Sequence, residues 1–320
     1  MFLGGGTVLN HLDSLIICFH MPPFFIISGY LYEKGLVRGK ATFSSFVIGK
    51  AKRLLVPYAF WTVFLWGGVQ IGNRIASSFM IDIGFPPMII MKLLLNLLTY
   101  EVYYVELLWF VYVLFLFFVV HYLIGEIGNK KWFVGLCLLL GFSTLFLPYP
   151  NVINRFLLWS AFFAFGRLVS SDENVKETIA NGKWWIVVTA YILLCAGRII
   201  LNNNYPGMAV SIYRILKQLI KYSIVFLGVW MVFIISRLLE NYKLGLLLQT
   251  VGDYSYDIYL MHNPYIVATV TIVCNRALKF SNVTSIIVAT VLGVVIPMLI
   301  SKFIIQKSKV LSAVMIGKWR

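Results

Sequence analysis

The chain has 320 residues, of which 60% are hydrophobic and only 12% charged, and its mean hydropathy is +0.87. A soluble protein of this length cannot bury so much apolar surface in one core, so the composition excludes the soluble classes and indicates an integral membrane protein. The formal net charge of +15 is typical of basic cytoplasmic loops in such a protein, and we expect no nucleic-acid partner.

Apolar runs long enough to cross a bilayer recur along the whole chain. A transmembrane helix needs about 20 mostly apolar residues, and this rule predicts an all-α polytopic protein with about nine transmembrane helices in a single domain, residues 1–320. The predicted spans, A to I, are Leu12–Tyr32, Leu54–Ile71, Leu107–Ile124, Trp132–Leu147, Ile153–Ser170, Trp184–Ile200, Ile215–Leu238, Val251–Val273 and Ser285–Ile305. Between spans B and C, the amphipathic stretch PPMIIMKLLLNLLTYEVYYVE predicts an interfacial or re-entrant helix.

Lysine and arginine are distributed unequally between the predicted loops. Of the 27 basic residues, 18 lie in one alternate set of loops together with the C-terminal residues. Cytoplasmic loops carry the excess of positive charge in membrane proteins. The bias therefore predicts a multi-pass protein of the inner or plasma membrane, with Lys52, Lys130 and the C-terminus in the cytoplasm and Asn203 outside.

An imidazole and two prolines lie inside span A, in the stretch CFHMPPFFIISGYLYEKG. An ionisable group within a span is costly and marks a candidate functional site, although a lone histidine near the interface often only bonds a carbonyl. Pro22 and Pro23 remove backbone donors, so we expect a broken helix whose freed carbonyls face a polar cavity or a partner helix. Ser28 and Gly29 would let another helix approach closely. This context favours a functional His20 that moves protons near neutral pH.

Span H carries a second group of polar side chains. Ser255, Tyr259 and His262 follow i, i+4, i+7 spacing and so share one face of a helix. Asp253 and Asp257 share another face, where an interfacial belt explains them equally well. His262 lies about 10 Å beyond the start of that helix, at 1.5 Å per residue, which is too deep for a belt. We therefore expect His262 to line a polar cavity.

Two further groups lie at the ends of predicted spans. Lys50, Lys52 and Arg53 precede span B, where ordinary membrane anchoring explains Lys50, whereas the Arg53 guanidinium is suited to grip phosphates bidentately. Glu106 and Trp109 lie at the predicted outer start of span C. A tryptophan there can stack on a sugar, but an aromatic belt is the commoner reason for its presence.

The remaining histidines and cysteines of the spans are expected to be structural. His121, surrounded by Phe and Val, is predicted to be buried. The four cysteines are scattered through apolar segments without CxxC spacing, so neither a disulfide nor a metal site is expected. They are Cys18, Cys137, Cys195 and Cys274.

Four segments of the chain together carry a family resemblance. In chain order they are FHMPPFFIISGYLY, KAKRLLVPYAFW, ELLWFVYVLF and VGDYSYDIYLMHNPYIV. They resemble the F-H-M-P-L-F-F-x-I-S-G-Y-L, K-x-x-R-L-L-I-P-Y, L-W-F-L-x-x-L-F and G-x-x-S-x-x-I-Y-L-x-H elements of the acyltransferase-3 family, and look closest to its fucose 4-O-acetylase-like branch. The resemblance runs from Phe19 to about Ile266, and Pro23 stands where the family usually has Leu.

The resemblance implies a membrane O-acyltransferase that moves acetyl from acetyl-CoA to a hydroxyl of a cell-envelope or exopolysaccharide sugar, without a metal. A hydroxyl is a poor nucleophile at neutral pH, so a histidine general base is expected. The site residues predicted for this reaction are His20 and His262 for catalysis, Lys52 and Arg53 for acetyl-CoA, and Ser28, Glu106, Trp109 and Tyr259 for the acceptor.

Two other classes of function remain open at this point. A broken helix and polar groups near the bilayer midplane serve a non-catalytic glycolipid carrier or flippase equally well. A multi-span structural subunit is the third possibility. The basic cytoplasmic mouth and the lack of a detectable internal repeat favour the enzyme.

The family pattern of ten spans, with both termini cytoplasmic, implies one more helix before Leu12. In the family that helix ends in a Gly-His pair about two dozen residues before the His-Met-Pro element, and its histidine is held to be the base. His11 lies nine residues before His20, which is too close. We therefore expect this chain to lack its first helix, through a late start codon or truncation, and the 320-residue form to be inactive for want of a base.

Overall fold

Helices make up nearly all of the described part of the chain, which a computed structural model gives as residues 21–38, 42–78, 90–99, 108–203 and 209–319. No β-strand occurs among these residues, in agreement with the all-α prediction. The α-helices are α1 (Pro22–Arg38), α2 (Phe43–Ser78), α3 (Ile90–Thr99), α4 (Trp109–Ile124), α5 (Lys130–Ser143), α6 (Asn151–Ser171), α7 (Glu173–Asn181), α8 (Trp184–Asn203), α9 (Val210–Leu239), α10 (Lys243–Asp253), α11 (Ser255–Met261), α12 (Val267–Ile272), α13 (Asn282–Phe303) and α14 (Lys309–Ile316). A kinked segment, His262–Ile266, follows α11, a short π-helical turn follows α12, and a 3₁₀ turn precedes α14.

The chain divides into two compact units, which are described separately below. The first unit is drawn from Met1–Lys40 and Val120–Leu247, and the second from Ala41–Val119 and Leu248–Arg320. Two of the three unit boundaries fall within α4 and α10, and the third falls between Lys40 and Ala41.

Five helices in the described residues are long and apolar enough to cross a membrane. They lie at Phe43–Ile75, Asn151–Ser171, Trp184–Asn202, Val210–Leu239 and Asn282–Lys307, and shorter apolar helices lie at Trp109–Ile124 and Val267–Ala277. The multi-pass character is thereby confirmed, whereas the count of nine spans is not. Predicted span D, for example, forms a helix of only 14 residues, about 21 Å at 1.5 Å per residue.

Span H is not the single continuous helix that the sequence predicted. The helical path is interrupted at Tyr254 (φ −101°, ψ 4°) and again at Asn263 (φ −134°, ψ 141°). The second break has a simple cause, because Asn263 precedes Pro264 and the residue before a proline is driven out of the α region. The interruption at Tyr254 also removes the continuous helix face that Asp253 and Asp257 were expected to share.

The predicted break at His20–Pro23 lies partly outside the described residues, and His20 lies wholly outside them. Within them, α1 begins at Pro22, and the backbone N–H of Phe24 donates to the carbonyl of Met21 (3.1 Å). Prolines are tolerated in this first turn, where the missing N–H has no intrahelical acceptor. Between spans B and C, where an interfacial or re-entrant helix was predicted, the described residues form the helix α3, and its place relative to the membrane stays a prediction.

Two glycines bring α1 and α6 of the first unit into close contact. A Cβ added to Gly29 would overlap the carbonyl oxygen of Phe163, and one added to Gly166 would overlap that of Ile26. Small residues allow this backbone approach between membrane helices. The close approach predicted from Gly29 is therefore confirmed, and Gly166 is its counterpart on α6.

Gly29→Ala is expected to destabilise the first unit by about 1–3 kcal/mol, because the added methyl meets backbone that cannot rotate away. Gly197→Ala in α8 is the matched control, since nothing lies within 4 Å of a Cβ at that position. Alanine favours a helix over glycine, so the control should be neutral or stabilising. Thermal unfolding of both variants in detergent checks the prediction, and equal melting temperatures would refute the close packing.

Candidate functional site

An exposed basic pair lies in the third turn of α2 in the second unit, within the helix and not before it as the sequence predicted. The side chains of Lys52 and Arg53 are both exposed, whereas their backbone carbonyls accept hydrogen bonds from side chains elsewhere in the unit. The indole Nε1–H of Trp319 donates to the carbonyl of Lys52 (3.0 Å), and the hydroxyl of Tyr256 donates to that of Arg53 (3.3 Å). The ammonium of Lys52 and the guanidinium of Arg53 therefore project from a backbone whose position is fixed by hydrogen bonds.

Residues 305–319, here called the C-terminal segment, pack against α2 next to this pair. The indole Nε1–H of Trp61 donates to the carbonyl of Met315 (2.9 Å). Gly317 ends α14 with a left-handed conformation (φ 67°), and any Cβ there would overlap the carbonyl oxygen of Arg53. Only glycine combines a positive φ with the missing Cβ that this contact requires. Gly317 therefore allows the C-terminal segment to pack closely against α2.

Asp257 on α11 is a buried carboxylate, with a relative exposure of 1%. Its Oδ2 accepts a hydrogen bond from the Ser301 hydroxyl (2.5 Å). The same oxygen forms a salt bridge with Lys318 Nζ (3.4 Å). Its Oδ1 has no hydrogen-bond partner among the described residues. The alternative of an interfacial belt is therefore wrong for Asp257, which instead ties α11 and α13 to the C-terminal segment.

His262 lies at the end of α11, directly before the break at Asn263. Its Nδ1 lies 3.0 Å from the carbonyl oxygen of Ile258 and 2.9 Å from that of Tyr259. Because a carbonyl can only accept, Nδ1 carries the proton and the lone pair of the neutral ring resides on Nε2. An imidazole in this tautomer can take a proton from a hydroxyl.

Tyr259 lies between this histidine and the start of α4. The Tyr259 and His262 rings have centroids 6.2 Å apart, as the i, i+3 spacing on one helix face requires. On its other side Tyr259 contacts Phe110 edge to face, at 5.5 Å. The predicted sugar contact Trp109 is half-buried and touches Phe110 at 6.3 Å. Phe110, which sequence analysis did not single out, is thus the α4 ring that meets Tyr259.

The first unit contains a buried ionic cluster that the sequence analysis missed. Arg167 on α6 is only 1% exposed, and its Nε donates to Glu33 on α1 (2.6 Å). Its two terminal nitrogens lie 3.0 Å from His121 Nδ1 and 3.0 Å from the Gly125 carbonyl. Lys130 adds a second cation to Glu33 at 3.3 Å. The cluster joins α1, α4, α5 and α6, and it confirms that His121 is buried.

Arg167 is one of the 18 basic residues that the charge bias assigns to cytoplasmic loops, but the structure places it within helix α6 and not in a loop. It lies inside a membrane-capable helix, and its charge is neutralised internally by Glu33. The signal in the sequence was an acidic residue directly after the apolar run of α1, together with a cation inside the apolar run FFAFGRLV. A charge placed in each run suggests a pair, but nothing local indicates which partner each one takes.

Asp172 connects two loops of the same unit outside the apolar helices. Its carboxylate pairs with Lys131 (3.0 Å) and caps α7 by accepting from the backbone N–H of Val175 (3.2 Å). The hydrogen bond from Lys131, followed by that from Val175, holds the pKa of Asp172 below its ordinary value. Lys131, in the first turn of α5, therefore has a specific acidic partner.

The predicted site residues fall into three groups. Lys52, Arg53, Trp109, Tyr259 and His262 belong to the second unit, and Ser28 lies half-buried on α1 of the first unit. His20 and Glu106 lie outside the described residues. Among the described residues, no group of three or more His, Cys, Asp or Glu side chains could hold a metal ion.

The model of the acyltransferase domain of the acyltransferase-3 family matches residues 2–302. The chain belongs to the acyltransferase-3 family. Together with its apolar helices, this membership makes the protein a multi-pass membrane acyltransferase. Neither a curated protein nor a solved structure matches the acyltransferase significantly. The fucose 4-O-acetylase-like branch and the missing first helix stay predictions.

Proposed function

We propose that this membrane acyltransferase moves an acetyl group from cytosolic acetyl-CoA to a hydroxyl of a cell-envelope or exopolysaccharide sugar at the bacterial inner membrane. The observation that carries the proposal is the exposed pair Lys52 and Arg53, presented from a backbone that Trp319 and Tyr256 hold in place. Coenzyme A carries several phosphate groups, and a guanidinium on a fixed backbone binds such groups with two parallel hydrogen bonds.

In this proposal the basic end of α2 and the C-terminal segment face the cytoplasm, where acetyl-CoA is available. The orientation follows the charge bias of the loops, which also assigns Lys52 to the cytoplasm.

His262 is the proposed general base within the described residues. Its Nε2 takes the proton of the sugar hydroxyl while the hydroxyl oxygen attacks the thioester carbonyl carbon. The new C–O bond forms, the C–S bond breaks, and the leaving thiolate of coenzyme A receives the proton from the imidazolium. Tyr259, beside His262 on the same face, is the proposed contact to the acceptor.

This assignment competes with the expectation that the base lies on a helix preceding Leu12, and with His20 as the catalytic histidine. Assays are therefore designed for the 320-residue chain and for the chain extended by any in-frame upstream sequence. The competing assignments concern the base and leave the donor-binding residues unchanged.

Arg53→Ala is expected to raise the KM for acetyl-CoA about tenfold with little change in kcat, because a charge-assisted hydrogen bond made before the chemical step is lost. Initial rates of labelled acetyl transfer to envelope glycan, measured over a range of acetyl-CoA concentrations, check this. Lys50→Ala is the matched control, because the Lys50 ammonium lies over the Phe118 ring (3.9 Å) and is not expected to reach the donor.

Equal increases in the KM for acetyl-CoA in Lys50→Ala and Arg53→Ala would show that the loss of any nearby positive charge weakens donor binding, without a specific contact from Arg53. Failure of both chain forms to transfer acetyl from acetyl-CoA to any envelope glycan would reject the proposed function itself.

A further inference from the structure

We propose that the C-terminal segment completes the donor site by providing the indole of Trp319 as a stacking platform for a purine base. The ligand class is an adenine nucleotide carrying phosphates, of the coenzyme A type. This inference rests on the proposed function and deepens it, because it assigns a residue to the nucleotide half of the donor. Trp319 lies beyond residues 2–302, which the family model matches.

The geometry of Trp319 combines exposure with a fixed orientation. The side chain is 52% exposed, although its Nε1–H is tied to the Lys52 carbonyl at 3.0 Å. Lys52 Nζ lies 5.4 Å from the centroid of the same ring. Because the ammonium lies over one face of the ring, a purine base would stack on the other face while its phosphate meets the cation.

Two contacts hold the segment that bears this indole against the rest of the second unit, and a hydrogen bond within the segment shapes its end. Gly317 fits against the Arg53 carbonyl only because it lacks a Cβ. The backbone N–H of Lys318 donates to the Ser312 carbonyl (2.9 Å), and its side chain pairs with the buried Asp257 (3.4 Å). These contacts, with the bond from Trp319 to the Lys52 carbonyl, fix the position of the indole relative to α2.

The C-terminal segment that bears the platform lies against the backbone of the two proposed phosphate contacts. Arg53 follows Lys52 directly, and its own carbonyl is the atom that Gly317 packs against. A nucleotide stacked on Trp319 would therefore have the ammonium of Lys52 at the ring and the guanidinium of Arg53 one residue further along α2. Both cations then serve the phosphates, while the indole supplies affinity that charge alone does not.

The test measures the Kd of coenzyme A by titration calorimetry on the full chain in phosphatidylcholine nanodiscs. Trp319→Ala is expected to weaken binding about 5- to 150-fold, the range found for loss of one base–aromatic stack. Trp319→Phe keeps a ring and should recover most of the affinity. Trp132→Ala is the matched control, because Trp132 is likewise exposed (78%) beside a lysine at the start of a helix, and it should leave the Kd unchanged.

Each other result overturns the inference in a distinguishable way. Equal weakening by Trp319→Ala and Trp132→Ala would show a general interfacial role, and a lowered melting temperature with no rescue by Trp319→Phe would show a purely structural one. If nanodiscs containing phosphatidylglycerol abolish coenzyme A binding, the phosphate ligand is a lipid headgroup. If the wild type does not bind coenzyme A at all, the proposed function fails, whereas wild-type binding that Trp319→Ala leaves intact rejects the platform alone.

Discussion

Glu33→Gln is expected to destabilise the first unit by about 3–5 kcal/mol, because it leaves the charge of Arg167 buried without its carboxylate. Arg167 is 1% exposed and its Nε lies 2.6 Å from Glu33, so water cannot take over the lost interaction. The free energy of unfolding in mixed micelles, measured by denaturant titration, provides the test.

Glu173→Gln serves as the matched control, because it removes the same charge from an exposed ion pair with Lys176 in the same unit. Exposed pairs contribute little, so its effect should be small. The double variant Glu33→Gln with Arg167→Met should recover part of the loss, since both charges are then gone. A Glu33→Gln effect no larger than that of Glu173→Gln would mean that the cluster does not stabilise the unit.

His262→Gln is expected to lower kcat for acetyl transfer about 10²- to 10⁴-fold, the range typical of a lost general base. Glutamine is polar and of similar size but cannot take up a proton. The KM for acetyl-CoA should change little, because the donor contacts at Lys52 and Arg53 are unaltered. Initial rates at saturating donor check the prediction.

Tyr259→Phe is the control for this experiment, because it keeps the ring that packs on Phe110 and beside His262. As a contact to the acceptor, its loss should change the KM for the glycan more than kcat. A wild-type kcat in His262→Gln would exclude His262 as the base and return that role to His20 or to a histidine on the expected preceding helix.

Features with a local cause could be predicted from the sequence. The all-α membrane class follows from composition, and the close helix approach at Gly29 follows from a small residue within an apolar run. The break at Asn263 also had a local signal, since Pro264 comes next, but the apolar character of span H concealed it. Hydropathy reports how apolar a run is and does not report whether the run forms one helix.

Features that depend on distant partners could not be predicted. Arg167 meets Glu33 across 134 residues, and Trp319 meets Lys52 across 267. A single sequence contains no local pattern that pairs such residues. Gly317 illustrates the limit, because its need for glycine arises partly from the Arg53 carbonyl, a residue distant in sequence that packs against it.

The most direct test of the central claim is a balance of acetyl groups. Purified protein in vesicles is incubated with acetyl-CoA labelled in the acetyl group and with envelope glycan, and both the free thiol and the alkali-labile glycan ester are measured. Our account predicts one labelled ester for each thiol released, with Arg53→Ala slower at limiting donor. Thiol release without ester, or no release from either chain form, would contradict it.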